Sequence, residues 1–468
     1  MHAVNSPFRA LALAIALTLG GCSLVPAWRQ PSTPVAAPWT GTTNTAAAAG
    51  GAWWTAFNDA ELDALEHRGL SENFTLKAAA RRIDEARSSA QVLGATQFPQ
   101  LSLGGNFQRE NNYGITPKRS VYGEATYEVD FWGKQRAAAQ SADALAVASQ
   151  FDAQTLRMTL GANIATTYFQ VLSLQDRLNL AQSIANDAAQ VLDLVKVQAS
   201  QGAVSNLEVE QQRNATQTFQ AAMPPLRQQR DLALYQLAVL VGAAPQTFHL
   251  HDTGLGDLQV PEPSAGLPVG LLRQRPDIQA AEARLQSANF DVGVARAAFL
   301  PNLSIDLLGG FDTLAGGQGQ LWSAIGTLTQ PVFAGGQLTG QLHFDRAHVA
   351  ELTATYRESV IEALQDVETQ ISATRELSQN FTISQAAVAS AREAARLAQV
   401  RYRLGSTDFQ TLLIVERTQY QAEDSLLQVR LQHLQAAVSL FRALGGDFTP
   451  TTIAANLSEA SSTKARQP

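Results

Sequence analysis

The sequence predicts a mixed α and β membrane protein whose two similar halves each combine a pair of strands with a very long helical hairpin. The halves are visible as an internal repeat. QFPQLSL at 97–103 returns as FLPNLSI at 299–305, and FWG at 131–133 returns as FAG at 333–335. This offset of about 202 residues is far too long for a solenoid array. We therefore infer an ancestral duplication within one chain.

Four segments predict strands because apolar and polar residues alternate along them. The alternation is strict at 100–109, 121–131 and 303–312 and weaker at 322–333. Lipid-facing candidates on the apolar face are Leu103, Phe107, Tyr127, Val129 and Ile305, and water-facing candidates on the acidic face are Glu124, Glu128, Asp130 and Asp306. Strands of roughly 10–12 residues suit a tilted crossing of a bilayer, but the same periodicity fits a periplasmic hairpin with one buried face.

Two helices of exceptional length favour strands that cross a bilayer over a periplasmic hairpin. No proline lies between about 134 and 200 or between 337 and 404, and both stretches are rich in Ala, Gln and Leu. At 1.5 Å per residue, each would form a rod on the order of 100 Å long. Such a rod must pack against others along its whole length. Pro224 and Pro225 should interrupt the first returning helix, and the second half lacks this break.

Each rod is predicted to end in a tight hairpin turn. Gly202 and Gly405 stand where a helix commonly ends in a left-handed residue. SNLE at 205–208 and TDFQ at 407–410 follow directly, and both fit a capping box that starts the returning helix.

The N-terminus predicts secretion and lipid attachment. Arg9 precedes an apolar run at 10–19, which has the length of a signal-peptide core and is too short to span a bilayer. LGGC at 19–22 resembles a bacterial lipobox, which would place a diacylglycerol and palmitate on Cys22, the single cysteine of the chain. By the same resemblance to bacterial lipoproteins, Ser23, a residue other than aspartate after the cysteine, implies sorting to the outer membrane.

Composition limits the remaining possibilities. The chain of 468 residues is 45% hydrophobic and 16% charged, which indicates a folded protein, and its net charge of -7 argues against nucleic acid as a partner. No stretch of the mature chain reaches 18 uninterrupted apolar residues. If the chain crosses a bilayer, it must do so as strands of a closed barrel. Four strands cannot enclose water, so such a chain must oligomerise.

We find no pattern that indicates an enzyme, a cofactor or a metal site. His249 with His251 and His343 with His348 are the local metal candidates, and neither pair has the cysteine or carboxylate ligands that a zinc site assembles. The glycine-rich stretch 316–319 lacks the lysine of a phosphate loop, and we expect a turn between strands there.

An ordered set of motifs resembles the TolC family of outer-membrane factors, in the lipoprotein branch of OprM/NodT-like efflux proteins. The motifs are WWTAFND at 53–59, RPDI at 275–278, AAFLP at 297–301, RYRLG at 401–405 and LFRALGG at 440–446. The resemblance implies a homotrimer in which each chain gives four strands to a shared 12-stranded β-barrel, continued by a periplasmic α-helical barrel. The acidic strand face would then line the lumen.

The resemblance also implies a function. The protein would be the outer-membrane channel of a tripartite efflux system, anchored by lipid and extending into the periplasm. It would passively conduct small toxic compounds or drugs from an inner-membrane pump and a periplasmic adaptor, or membrane fusion protein, to the exterior. The alternative is the conduit of a type I-like protein secretion system, and a lipid-anchored periplasmic scaffold is the third possibility.

These inferences predict a domain order along the chain. The ranges are a signal peptide at 1–21, a lipid-anchored equatorial segment at 22–75, the first repeat at 76–245, an equatorial linker at 246–275, the second repeat at 276–446 and a tail at 447–468.

A periplasmic gate is expected at the hairpin tips, because acidic residues line the entrance of related channels just after the two glycines. The candidates here are Glu208, Asp408, Ile414 and Glu416. Glu208 also fits a capping box and Asp408 a helix N-terminus, so a gating and a capping role both remain open. Ile414 leaves open an apolar constriction.

Overall fold

A computed structural model describes residues 23–33, 39, 52–111, 115–251, 254–261, 268–270, 274–314 and 317–446. The helices are α1 (Ala60–Glu72), α2 (Phe74–Ala95), α3 (Lys134–Ser200), α4 (Asn206–Ala221), α5 (Met223–Leu240), α6 (Pro276–Ala297), α7 (Gln337–Arg403) and α8 (Phe409–Ala443). The strands are β1 (Gln100–Asn111), β2 (Ile115–Val129), β3 (Asn302–Leu314) and β4 (Gly317–Thr329). Cys22, the predicted signal peptide 1–21 and the tail 447–468 lie outside the described residues.

The strands form one antiparallel sheet in the order β1-β2-β3-β4. β2 pairs with β3 although the two repeats are far apart in sequence, with Ala125 opposite Leu307. Two predicted boundaries were wrong. β2 ends at Val129 and not at 131, and β4 covers Gly317–Thr329 where the sequence predicted 322–333. Pro331 explains why β4 ends before 333, because proline has no N–H to donate to a ladder.

The predicted long helices are confirmed. α3 and α7 each contain 67 residues, and α7 ends one residue before the predicted Leu404. The first returning helix is broken at Ala222 into α4 and α5, with Pro224 in the first turn of α5, where a missing N–H costs little. The second, α8, continues unbroken for 35 residues. Among the described residues, no helix combines the length and the apolar character needed to span a membrane.

The chain divides into two compact units, each built from segments of both repeats. Unit 1 comprises Met1–Thr33, Ala79–Asp152 and Asp277–Ser359, and unit 2 comprises Pro34–Ala78, Ala153–Pro276 and Val360–Pro468. The predicted domain order follows the sequence repeat instead, and it stays a prediction.

Unit 1 contains the sheet and a close helix contact made by small side chains. Ala137 and Ala142 of α3 and Ala288 of α6 are buried. The hydroxyl groups of Ser141 and Ser287 lie 2.8 Å apart in the same region and share a hydrogen bond. Small residues allow two helix axes to approach, which is the packing that the alanine-rich sequence favours.

Unit 2 contains an aromatic core around the WWTAFND motif. Trp53, Trp54 and Phe57 are buried in a single short 3₁₀ turn. Asp59 ends the motif and caps α1, since one carboxylate oxygen accepts the N–H of Leu62 at 2.8 Å. Its other oxygen accepts the hydroxyl of the buried Tyr168 at 3.1 Å. Asp59 of the motif therefore connects the start of α1 to the aromatic core.

Candidate functional site

The sheet of unit 1 presents one almost continuous apolar face to its surroundings. Most cross-strand neighbours on this face are apolar or small, and the exceptions are Arg119 opposite Phe107 and Gln320 opposite Phe311. The side chains of Leu103 and Trp322 are 90% and 78% exposed. The apolar members are Leu101, Leu103, Phe107, Val121, Ala125, Tyr127, Val129, Leu303, Ile305, Leu307, Phe311, Trp322, Ala324 and Leu328. All five predicted lipid-facing residues are among them.

The opposite face carries the predicted acidic residues. Glu124, Glu128 and Asp306 alternate with the apolar set, and Thr126 lies directly opposite Asp306. All three carboxyl groups are half-buried. Glu128 also forms an ion pair with Lys134, with 3.7 Å between the nitrogen and the nearer oxygen. The structure therefore brings these three predicted residues together on one face.

Asp130 lies beyond the strand and caps a helix. Its two carboxylate oxygens accept the backbone N–H groups of Gln135 at 3.1 Å and Arg136 at 3.0 Å, at the start of α3. The Arg136 side chain also donates to this carboxylate at 3.3 Å. The negative charge thus meets the positive end of the dipole of α3, one of the two longest helices. The alternation that predicted Asp130 on the strand continued to 131, two residues past the end of β2.

Tyr122 is a feature of the acidic face that sequence reasoning missed. A Cβ added to Gly104 would lie 2.7 Å from the Tyr122 ring, and one added to Gly310 would lie 2.6 Å from the Tyr122 Cα. Neither glycine could carry a side chain without displacing its neighbour. The alternating pattern hides this contact, because glycine fits either face of a strand.

The hairpin tips of unit 2 have the predicted geometry. Gly202 and Gly405 adopt φ of 76° and 69°, the left-handed conformation expected of a glycine that ends a helix. The two tips pack on each other, since Val195, Val209 and Phe409 form a small buried cluster.

Glu208 is engaged in a capping box at the first tip. Its carboxylate accepts the backbone N–H of Ser205 at 2.9 Å. This is the predicted capping box at 205–208. Burial raises the pKa of Tyr402, and the nearby charge of Glu208 raises it further. Glu208 therefore lies beside the contact between the two hairpins.

Asp408, and not Thr407, caps the second returning helix. The Asp408 carboxylate accepts the N–H of Thr411 at 2.7 Å and its hydroxyl at 3.1 Å. The hydrogen bond from the Thr411 backbone lowers the pKa of Asp408 below its ordinary value of 3.8. The predicted capping box at 407–410 was wrong by one residue, because a carboxylate is the stronger acceptor for a helix N-terminus.

Ile414 and Glu416 differ sharply in their surroundings. Ile414 is 59% exposed and borders a groove of about 710 Å³ between α4 and α8. Glu416 is half-buried and accepts a hydrogen bond from the Gln399 side chain at 3.2 Å. Burial raises the pKa of Glu416, and the charge of Asp187 adds to the increase.

Two ion pairs join the helices of unit 2 and were not predicted. Arg177 of α3 binds Asp424 of α8 through two hydrogen bonds of 2.6 and 3.1 Å. Arg392 of α7 binds Glu423, whose side chain is almost fully buried. Partners this far apart in sequence leave no local signal, so the fold has to be known before they can be paired.

The described residues hold no group of three or more His, Cys, Asp or Glu side chains arranged to bind a metal ion. Two of the four histidine candidates instead contact single carboxylates. His251 lies 3.2 Å from Glu61, and His348 lies 3.3 Å from Glu351. Of the glycine-rich stretch 316–319, residues 317–319 begin β4, and Gly316 lies outside the described residues.

A sheet with an exposed apolar face, joined in one chain to two very long helical hairpins, is the architecture of TolC-family outer-membrane channels. The chain belongs to the outer membrane efflux protein family, whose model matches residues 65–243 and 267–446. The two matches begin at the same offset that separates the sequence landmarks. The family is one of channels of the outer membrane, and it supports a role for this chain as an efflux conduit there.

Individual relatives agree with this assignment. The pyoverdine export outer membrane protein OpmQ of Pseudomonas aeruginosa is 36% identical over 84% of this chain and 87% of its own length. The toluene efflux pump outer membrane protein TtgC of Pseudomonas putida is 30% identical over 95% of this chain and 97% of its own. The solved structure of the outer-membrane channel OprN is 26% identical, with a TM-score of 0.84 over 91% of this chain and 99% of that one.

Proposed function

We propose that this protein is the outer-membrane channel of a tripartite efflux system, formed by three copies that share one 12-stranded barrel. The observation that carries the proposal is the sheet, whose exposed apolar face is backed by an acidic face. Such a sheet suits a wall between lipid and water. The lumen would be lined by Glu124, Glu128 and Asp306.

The free edges of the sheet support the trimer. Within the described residues, β1 and β4 pair with a neighbour on one side only. Unpaired N–H and C=O groups are not tolerated in hydrocarbon, so the edges must meet partners from other copies. A barrel of twelve strands is wide enough to enclose water, because barrel diameter grows with strand number.

Small organic molecules are the proposed cargo. OpmQ is named for the export of pyoverdine and TtgC for the efflux of toluene. Neither name concerns a protein, which favours efflux over the alternative of type I-like protein secretion. The channel would be passive, with energy and selectivity supplied by an inner-membrane pump and a periplasmic adaptor.

A lipid on Cys22 would anchor the mature chain to the outer membrane. The motivation is the lipobox LGGC at 19–22 and the absence of any other cysteine from the sequence. Within the mature chain, the domain order proposed is the one that follows the repeat. Cys22→Ser should abolish labelling with radioactive palmitate and leave trimer formation intact, since a closed barrel holds itself in lipid. Full labelling of the variant would contradict the anchor.

Conductance and drug sensitivity test the proposed channel. Purified protein in a planar bilayer should form discrete conducting steps and migrate as a trimer in native mass measurements. Deletion of the gene should raise sensitivity to small toxic compounds and leave the set of exported proteins unchanged. A protein that forms no channel would point to a periplasmic scaffold, and selective loss of an exported protein would point to secretion.

A further inference from the structure

Residues 23–33 of unit 1 form an N-terminal segment, here called the strap. Side chains of α6 bind the backbone of this strap. Arg296 donates to the Leu24 carbonyl at 3.1 Å, and Asn289 donates to the Pro26 carbonyl at 2.9 Å. Further along the strap, the Gln30 amide donates to the hydroxyl of the buried Tyr356 at 3.0 Å. Bonds to strap carbonyls fix the path of the chain and leave the strap side chains free for other contacts.

Gly293 lets the strap lie directly on α6. A Cβ at this position would come within 2.6 Å of the Val25 Cγ2 atom and 3.0 Å of its Cα atom. The second contact is with the backbone, which cannot swing aside as a flexible side chain can. Any larger residue at 293 would therefore lift the strap from the helix.

A cavity of about 460 Å³ opens beside the first residue of the strap. Its volume falls within the range of small-molecule pockets, roughly 300–1,000 Å³. The walls are formed by strap residues, one residue of α3 and three of α6, namely Ser23, Val25, Pro26, Trp28, Gln140, Gln286, Asn289 and Phe290. None of these side chains is ionised, so the lining offers no charge to recognise a charged ligand. Its two largest side chains, Trp28 and Phe290, are aromatic, and Gln140, Gln286 and Asn289 add uncharged amide groups.

We propose that this cavity holds one fatty-acyl chain of the lipid on Cys22. The inference rests on the lipid anchor proposed above. Ser23 forms part of the cavity wall, so a single peptide bond separates the acylated residue from the cavity. Such a tether gives the chain a high effective concentration at the site, which a free lipid lacks. α6 would then dock the strap and its acyl chain together.

Photocrosslinking within the full-length protein in its own membrane tests this inference. Cells are fed a photoreactive palmitate analogue, membranes are irradiated, and the digested protein is analysed by mass spectrometry. The expected product joins the lipid-bearing Cys22 peptide to the peptide that carries Phe290 or Trp28. Phe290→Gln should lower its yield severalfold, and Gly293→Val should do the same by lifting the strap.

Phe344→Gln is the matched control, since Phe344 is an exposed phenylalanine of unit 1 that does not line the cavity. It should leave the yield unchanged, and all three variants must still form trimers that conduct. The proposal is wrong if the lipid on Cys22 crosslinks only to bilayer lipid. It is also wrong if Phe290→Gln gives as much crosslinked peptide as the wild-type protein. Neither result would contradict the lipid anchor itself. Loss of the palmitate label from the wild-type protein overturns both, while conductance tests the channel separately.

The source of the acyl chain is decided by a second probe. Cys22→Ser protein is incubated with a phospholipid that carries the photoreactive group in one chain. Weak labelling of the Phe290 peptide supports the tethered chain as the occupant. Labelling as strong as the wild-type crosslink would mean that the cavity takes a bilayer lipid, and the proposal would be wrong.

Discussion

Asp408 and Glu208 each help to start a returning helix, one in each repeat, but they act from different positions. Each supplies a carboxylate to a backbone N–H at the start of a returning helix. Glu208 reaches back from inside its helix, whereas Asp408 precedes its helix as the N-cap residue. The sequence predicted two identical capping boxes, because TDFQ matches the pattern as well as SNLE does. The pattern did not show that Asp408 would take the N-cap position one residue later and accept the Thr411 N–H.

The first prediction tests the Asp408 cap. Asp408→Ala should lower the apparent melting temperature of the purified protein at pH 7. Asp408→Asn should keep most of the wild-type stability, because its amide oxygen can still accept the N–H. Thr407→Ala should have little effect on the melting temperature. The pKa of folded Asp408 lies below 3.8, so its stabilisation is complete above that pH. It is lost as the pH falls through the folded value. A larger loss from Thr407→Ala than from Asp408→Ala would reject this cap.

The second prediction concerns Glu416, whose pKa is raised by burial and by Asp187. A raised pKa means that the folded protein prefers the neutral acid, so the charged form is destabilising at pH 7. Glu416→Gln keeps an acceptor for the Gln399 amide and removes the charge. Its melting temperature should exceed the wild-type value at pH 7 and match it below about pH 4.5, the ordinary pKa. Thermal melts at both pH values measure this, and a less stable variant at pH 7 would contradict it.

At the scale of the strands, the third prediction tests which face meets lipid. Leu307 and Asp306 are neighbours near the middle of β3 and lie on opposite faces. Arginine on the lipid side near the membrane centre costs roughly 2–4 kcal/mol. Leu307→Arg should therefore reduce the amount of assembled trimer in the outer membrane, whereas Asp306→Arg should not. Membrane fractionation and native gels measure the difference.

Equal tolerance of both substitutions would mean that the faces are assigned the wrong way or that the sheet does not contact lipid. A shift of one residue exchanges the two faces of a strand, so this pair is sensitive to register. Residues at the strand ends, such as Val129, test the assignment less sharply, because the cost of a charge falls towards the membrane surface.

The fourth prediction concerns the contact between α3 and α8 in unit 2. Arg177 and Asp424 form a two-bond ion pair, and both side chains are less than a quarter exposed. A double-mutant cycle with Arg177→Ala and Asp424→Ala should give a coupling energy of roughly 0.5–3 kcal/mol. Denaturant unfolding of the four proteins measures it. A coupling energy of zero would show that the ion pair does not contribute to the stability of the folded protein.

Elements were predictable from the sequence where the signal is local. The bounds of α3 and α7 follow from a long proline-free composition, and the turns at Gly202 and Gly405 follow from glycine chemistry. The contacts that hold these elements together were not predictable. The Arg177 and Asp424 pair, the strap on Gly293 and the Tyr122 contact all depend on partners that the chain brings together only when folded.

At the scale of the whole molecule, the hairpin tips are the proposed entrance to the channel. The acidic candidates there already have structural partners. Glu208 and Asp408 accept backbone hydrogen bonds, and Glu416 is half-buried beside Gln399. Ile414 is the exposed apolar candidate, on the surface of α8. We therefore propose that three copies of Ile414 form an apolar constriction, in place of an electrostatic gate.

The fifth prediction separates the two kinds of constriction by single-channel recording. Ile414→Asp should add one negative charge per copy at the narrowest point, and so raise conductance and cation preference. Glu208→Gln should change neither, because its amide oxygen can still accept the Ser205 N–H and preserve the helix start. Leu207→Asp, on the exposed surface of α4, controls for charge added near the tip. If Glu208→Gln alters cation preference and Ile414→Asp does not, the entrance is electrostatic and Ile414 is not its constriction.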